Sequence, residues 1–314
     1  MFVSYPHTRA LRHVVGDIDH QYGEGTKPVI DFLGTVKLDG THCDIVIGHD
    51  TLRFQSRNKI ISTADDNIDC CVFLEPRTGH LIATVRKRFP NFKEYIMLSG
   101  EYCSSKICKK VALRNLPKMF VLFGVCIDGV WQSKETYRDI SDVSNTIYNI
   151  YDFPTWTITI DFNDPYAHQD TLDTLTKEVG TACPFAKQLG VEGVGEGIVW
   201  IPVDENIPTM WFKTKSERYV EEHKVPIVKI SGDDVKPYAI AWVHPGRLEQ
   251  GMDYMREMRI EPTIRTMSTF RDWVSADILR EEQDVIEKNE IHVKNLMREI
   301  NTLCVAWYKQ SIGF

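Results

Sequence analysis

The chain has no apolar run near the ~20 residues that a membrane-crossing helix requires. Its opening residues, Met1-Phe2-Val3-Ser4-Tyr5-Pro6, lack the charged and apolar regions of a signal peptide. A soluble, intracellular protein with no membrane partner is the expectation. The eight cysteines (Cys43, Cys70, Cys71, Cys103, Cys108, Cys126, Cys183 and Cys304) contain no Cys-x-x-Cys unit, and none of the ten histidines pairs with another at metal-ligand spacing. That excludes a zinc knuckle and a disulfide framework, and leaves the thiols as small reduced core residues. What remains is ordinary for a folded chain of 314 residues: 43% hydrophobic and 26% charged, enough for two domains.

Charge is unevenly placed. The chain carries a net -7, yet between Arg86 and Lys118 there are nine Lys or Arg against two Glu, and between Asp139 and Glu178 eight acids against one Lys. A concentrated basic stretch in an acidic protein marks either a site for a polyanion or a solvated face.

The stretch that organises the chain is Gly34-Thr35-Val36-Lys37-Leu38-Asp39-Gly40-Thr41-His42-Cys43-Asp44. An apolar strand leads into a Lys-x-Asp-Gly turn and an alternating strand leads away, which reads as a hairpin with Lys37 at its mouth. A lysine so placed suits covalent nucleotide transfer, in which a neutral amine attacks an α-phosphate, provided that its neighbours lower its pKa. Four common residues are a weak signal alone, and a solvated turn has the same pattern.

Further along, Leu52 to Arg57 reads as a strand, joined to its predecessor through Gly48-His49-Asp50. Tyr95 to Leu98 runs into Ser99-Gly100-Glu101, placing a carboxylate at a sheet rim. Met119 to Ile127 is almost wholly apolar, as a central strand would be, and Asp128-Gly129 turns it into a hairpin. Residues 138 to 190 carry no motif. A Gly-rich turn, Gly193-Val194-Gly195-Glu196-Gly197, opens another strand, and in Thr209 to Lys215 alternation puts Lys213 and Lys215 on one face. Two lysines on one strand face invite an anion. After a charged, Pro-bearing passage, Ile264/Met267/Phe270/Val274/Ile278 and Val293/Leu296/Ile300/Cys304/Trp307 recur at helical spacing, marking a separate helical domain.

Taken in order, Lys37 in Lys-x-Asp-Gly, Arg57, Glu101, the Phe120 strand, Glu196 in Glu-Gly-Ile-Val and the pair Lys213/Lys215 resemble motifs I, Ia, III, IIIa, IV and V of the covalent nucleotidyltransferase superfamily. Within it the chain is most similar to ATP-dependent RNA ligases of the RNA ligase 2 type. That likeness extends to Lys213-Thr214-Lys215-Ser216-Glu217-Arg218-Tyr219, to Arg247-Leu248-Glu249 and to Trp273 through Glu282. Gly124 stands where the family commonly has an acid after the motif IIIa Phe, and Val36 where relatives carry Glu.

The resemblance implies an α+β fold: a nucleotidyltransferase (adenylation) domain of antiparallel sheets with flanking helices over 1–225, a linker over 226–246, and an all-α domain over 247–314. DNA ligases and capping enzymes would follow motif V with short strands of an OB domain, which are not in evidence here. It also implies roles. Lys37 is the nucleophile. Asp39 and His42 contact the nucleotide or its phosphate, Arg57 the phosphate or the 3'-hydroxyl end, Glu101 accepts from the ribose hydroxyls, and Phe120 stacks on adenine with Phe123 as second candidate. Glu196 holds Mg2+ or Mn2+; Lys213 and Lys215 neutralise the α-phosphate and depress the Lys37 pKa. The implied activity is ATP-dependent sealing of RNA 5'-phosphate and 3'-hydroxyl ends through lysyl-AMP, by a monomer, with phage or viral origin suggested by the family. The alternatives are a DNA ligase, a GTP-dependent capping guanylyltransferase, or a nucleic-acid-binding relative that has lost catalysis.

Overall fold

Alternating apolar residues form two sheets, and the chain crosses between them at the Lys37 turn. The computed structural model describes residues 2–66, 68–108, 111–203, 207–216 and 235–314, and the chain divides into two units, Met1–Tyr219 and Val220–Phe314. In the first, helix α1 (Leu11–Tyr22) precedes strands β1 (Val29–Lys37), β2 (Thr41–Ile47), β3 (Leu52–Ser56) and β4 (Ile60–Ile61). Helices α2 (Cys70–Leu74) and α3 (Gly79–Arg88) follow, then β5 (Ile96–Cys103), β6 (Met119–Ile127), β7 (Val130–Trp131), β8 (Ile147–Asn149) and β9 (Thr155–Asp161). Next come α4 (Gln169–Thr181), α5 (Pro184–Gln188), β10 (Gly197–Pro202) and β11 (Phe212–Lys215).

The smaller sheet has the order β11-β10-β1-β9, and the larger runs β4-β3-β2-β5-β6-β7 with β8 beside β6. The strands on either side of Lys37 therefore do not form the hairpin expected from sequence. β1 pairs with β9 and β10, whereas β2 pairs with β3 and β5. Alternation reports which residues share a face; it is blind to which strand lies alongside. The Lys-x-Asp-Gly turn is a crossover, and Gly40 makes it possible, because a Cβ there would stand 2.5 Å from the Tyr102 carbonyl oxygen. The β6–β7 hairpin forms as expected, with Asp128 and Gly129 at φ 49° and 85° and the Asp128 carboxylate accepting from the amides of Lys93, Glu94 and Tyr95.

The motif-free region 138–190 supplies support. β9 pairs along the length of β1, and α4 braces the lysine strand: Thr176 Oγ1 donates to Thr214 Oγ1 at 2.7 Å, and the Trp200 indole donates to the same oxygen at 3.2 Å. Leu11, Val14, Val15 and Ile18 form the buried stripe of α1, which joins Phe32, Trp200 and Phe212 in one core. Each such buried side chain contributes roughly 1.5–3 kcal/mol.

Among the described residues of the second unit the helices are α6 (Lys236–Trp242), α7 (Pro245–Glu257), α8 (Met267–Glu281), α9 (Gln283–Lys288) and α10 (Val293–Ser311). Phe270, Val274 and Ile278 pack with Leu296, Ile300, Cys304 and Tyr308. The linker expected over 226–246 is helical in its later part, because Pro237 and Pro245 stand in the first turns of α6 and α7, where proline costs no hydrogen bond. Its earlier part, the boundary at 225 and the motif residues Glu217, Arg218 and Tyr219 lie outside the described residues. No helix among the described residues is long and apolar enough to cross a membrane.

At least four of the nine cations in the basic 86–118 stretch have partners within the fold, which competes with its reading as a polyanion site. Arg86 donates to the carbonyls of Gly48 and His49, Arg88 forks onto Asp139 from the acidic stretch, and Lys106 and Lys118 flank Asp69. Lys109 and Lys110 are outside the described residues.

Candidate active site

Three strands of the smaller sheet place the central charges in one row. Lys37 on β1 faces Gly197 on β10, and Gly197 faces Lys215 on β11. Glu196, one residue before β10, reaches between them: Lys37 Nζ donates to its Oε2 at 2.6 Å, and Lys215 Nζ lies 3.2 Å from its Oε1. The approach is close because residue 197 is glycine; a Cβ there would come within 2.0 Å of the Thr214 carbonyl oxygen. The Glu196 carbonyl accepts from the Ser216 amide and the Gly195 amide donates to Val179, so the loop carrying the carboxylate is tied to β11 and α4. Lys213 shares the face of Lys215, and its amide donates to the Arg9 carbonyl at 2.8 Å.

Electrostatics in this row depart from the sequence expectation. The Glu196 carboxylate is 2% exposed; burial pushes its pKa up, but Lys37 and Lys215 outweigh that and hold it below the usual range. Burial pulls Lys37 down, yet Glu196, Glu101 and Asp39 together raise it above the ordinary lysine value. The lysine pair does not depress Lys37 here, because carboxylates, not ammonium groups, dominate its surroundings. Lys37 rests as an ammonium, and a cation that engaged Glu196 would weaken the pairing that keeps it so.

On the larger sheet, Glu101 of β5 stands opposite His42 of β2. The Gly40 amide donates to Glu101 Oε1 at 3.1 Å. Burial lifts the Glu101 carboxyl to about 7, with Lys37 and His42 opposing the shift. His42 is buried, with Nε2 2.9 Å from Asp44 Oδ1, and the fully buried Asp44 accepts from Gln55 at 2.8 Å. Asp39 acts on both Lys37 and Glu101 through its charge. Arg57 lies at the edge: it donates to the Pro6 carbonyl at 3.1 Å, and its guanidinium stands 5.8 Å from the Tyr5 ring centre.

Phe120 is not where the resemblance put it. It is fully buried in the core on the opposite face with Cys43, Ile45, Tyr102 and Ile147, its ring against Gly100. The register shifts between Ser99 and Gly100, pairing Ser99 with Gly124 and Gly100 with Leu122, so β6 carries an extra residue at this point. Phe123 sits in that bulge, half-buried, 5.9 Å from His42 and 5.6 Å from Tyr5. Of the two phenylalanines, Phe123 is the one on the site face. Sequence reasoning also missed Asp44, which alternation with His42 could have found, and Tyr5, which gave no signal in a polar leader. Trp211 was legible in principle, since it alternates with Lys213 and Lys215.

Among the described residues no group of three or more His, Cys, Asp or Glu could hold a metal by itself. A single buried carboxylate suits a hard cation whose other ligands are phosphate oxygens and water.

Solved structures of a Naegleria gruberi RNA ligase resemble the chain. A mutant with AMP and Mn gives a TM-score of 0.47 at 18% identity, covering 71% of this chain and 59% of that one; the protein with PPi gives 0.48 at 17%, with the same coverage. The chain thus spans about three-fifths of the length of these relatives. No curated protein sequence matches. The family model described as RNA ligase matches residues 30–215, from β1 to the last residue of the lysine strand. With more than half of its 314 residues matched and the charged row inside the match, the chain belongs to the RNA ligase family.

Proposed function

We propose that the chain is an ATP-dependent RNA ligase of the RNA ligase 2 type, sealing 5'-phosphate and 3'-hydroxyl ends, with residues 1–225 as its adenylyltransferase domain and the helical remainder contacting the flanking nucleic acid. The observation that carries this reading is Glu196 seated between Lys37 and Lys215, a buried anion contacted by two partly exposed cations at the end of a strand row. That arrangement holds an amine in place and puts lysine ammonium groups where a phosphate could meet them.

In the first step the Lys37 amine attacks the α-phosphorus of ATP; the N–P bond forms, the bond to pyrophosphate breaks, and lysyl-AMP results. Lys37 must first lose a proton to solvent, which becomes easier once Glu196, 2.6 Å away and the foremost of the groups that raise its pKa, is engaged elsewhere. An oxygen of the RNA 5'-phosphate then attacks the adenylyl phosphorus and returns Lys37 to the amine. Finally the 3'-hydroxyl attacks that 5'-phosphorus and AMP leaves. Lys213 and Lys215 bear on the charge that builds on the phosphate oxygens at each stage. Glu196 would hold Mg2+ or Mn2+ together with phosphate oxygens, and the metal would draw charge from the phosphate as a Lewis acid. Phe123 would support adenine and Glu101 the ribose hydroxyls. We further propose that the enzyme acts as a monomer in an intracellular setting.

The test is sealing of a 5'-labelled nicked duplex, with RNA or DNA at the 3'-hydroxyl side, by wild type given ATP or GTP and magnesium. Sealing of RNA ends with ATP alone is expected. Preference for DNA ends would make the protein a DNA ligase, label transfer only from GTP would move it to capping, and binding without sealing would leave a nucleic-acid-binding relative.

A further inference from the structure

Beyond the charged row, the site face carries an aromatic group that reaches from one sheet to the other. Trp131 of β7 belongs to the larger sheet, and Trp211 immediately precedes β11 of the smaller one. Their ring centres are 5.1 Å apart at 73°. Tyr5 packs edge-on against Trp131 at 5.3 Å, lies 5.8 Å from Trp211, and continues to His42 at 4.3 Å. Trp211 is extended and alternates with Lys213 and Lys215 on the way into β11, so the indole points to the same side as the two ammonium groups. The opposite side of β11 is filled by Phe212, stacked on Trp200, and by Thr214.

Gly124 makes room for this bridge. A Cβ at that position would stand 3.0 Å from Cζ3 and 3.6 Å from Cε3 of Trp131. The indole lies across the strand in space that any side chain at 124 would claim. The resemblance leads one to expect an acid there, and a carboxylate would push the ring off Trp211 and Tyr5. Glycine and tryptophan at these two positions are therefore a matched pair.

We infer that the Trp131–Trp211 contact, permitted by Gly124 and backed by Tyr5, sets the separation of the two sheets at the nucleotide site, so that Lys213 and Lys215 on one sheet and Glu101 on the other reach the same nucleotide. Trp131 and Gly124 are positioning residues in this account; neither touches the reacting atoms. The inference rests on the reading of the site as an ATP site. Opposed walls that carry the charge-neutralising and ribose-binding groups must be held within a fraction of an ångström, and misplacement of about 1 Å costs on the order of a hundredfold.

The experiment is a double-mutant cycle on ATP-dependent labelling of the full chain with magnesium. Trp131→Ala is expected to raise the ATP concentration for half-maximal labelling by about tenfold, with a smaller effect on the maximal rate, while Trp131→Phe stays near wild type. Gly124→Asp should resemble Trp131→Ala, and the double variant should be no worse than either, because the acid acts only through the indole. Unchanged ATP dependence in Trp131→Ala, or additive losses in the double variant, would overturn the inference. If wild type takes no label, the ligase reading fails and calorimetric titration with ATP decides separately. Weaker ATP binding by Trp131→Ala supports the bridge, equal binding overturns it, and no ATP binding by wild type overturns both.

Discussion

The two units each bury a cluster of charges, and the clusters differ in one respect that separates chemistry from architecture. In the helical unit Arg247 donates to Asp277 at 2.8 Å, to Glu282 at 3.3 Å and to the Trp242 carbonyl, with Arg280 closing onto Asp277. Two cations meet two anions, the planar guanidinium is satisfied in several directions, and its side chain is 9% exposed. In the sheet unit Glu196 meets Lys37 and Lys215, and although Glu196 is 2% exposed the two lysines are 23% and 26% exposed. A balanced, closed cluster built on Arg fixes helices. One built on partly exposed lysine ammonium groups leaves its cations open to a ligand from solvent.

Mutations should split along that line. Glu196→Gln is expected to lower the rate of lysyl-AMP formation by roughly 10²–10³, measured by single-turnover labelling, since a group acting on transition-state charge is lost. Arg247→Ala should leave that labelling in place and cost the helical unit about 3–5 kcal/mol, read by urea unfolding, because Asp277 and Glu282 lose their buried partner. Loss of labelling in Arg247→Ala at temperatures where the sheet unit is folded would break the contrast. The two phenylalanines sharpen it within one strand. Phe120→Ala should cost about 3–5 kcal/mol of stability, whereas Phe123→Ala should cost less and chiefly raise the ATP concentration needed for labelling.

The smallest effect concerns Glu101. Its folded-state pKa of about 7 lies above the ordinary 4.5, so between those values the folded protein holds a proton that the unfolded chain has released. Stability from this group is present below pH 4.5, falls as pH rises toward 7, and stays reduced above. Glu101→Gln should flatten that slope in ATP-free protein and stabilise it at pH 8, as measured by thermal unfolding across pH; a slope unchanged from wild type would contradict the assignment.

How much was legible followed from what each signal measures. Strand alternation put Lys213 and Lys215 on one face, and the order of motifs gathered Lys37, Glu101, Glu196 and Lys215 before any fold was known. Alternation could not say that β1 and β2 lie in different sheets, because pairing is a long-range choice. It did put Phe120 and Phe123 on opposite faces, but it could not say which of the two faces carries the site. The acidity around Lys37 was hidden for a related reason: Glu196 lies 159 residues away in the chain and 2.6 Å away in space. Residues 138–190 were silent because their work is support, pairing β9 to β1 and setting α4 behind β11, which requires only ordinary apolar residues and a few hydroxyls.

The most direct test of the account is peptide mapping by mass spectrometry after wild type is incubated with ATP and magnesium and then acid-free digested. The account predicts one adenylyl group on the peptide containing Lys37, with the modification on its Nζ, and none in Lys37→Arg. An adenylyl group on Lys215 or another residue would contradict the assignment of Lys37 as nucleophile, and an unmodified protein that still binds ATP would contradict covalent transfer itself.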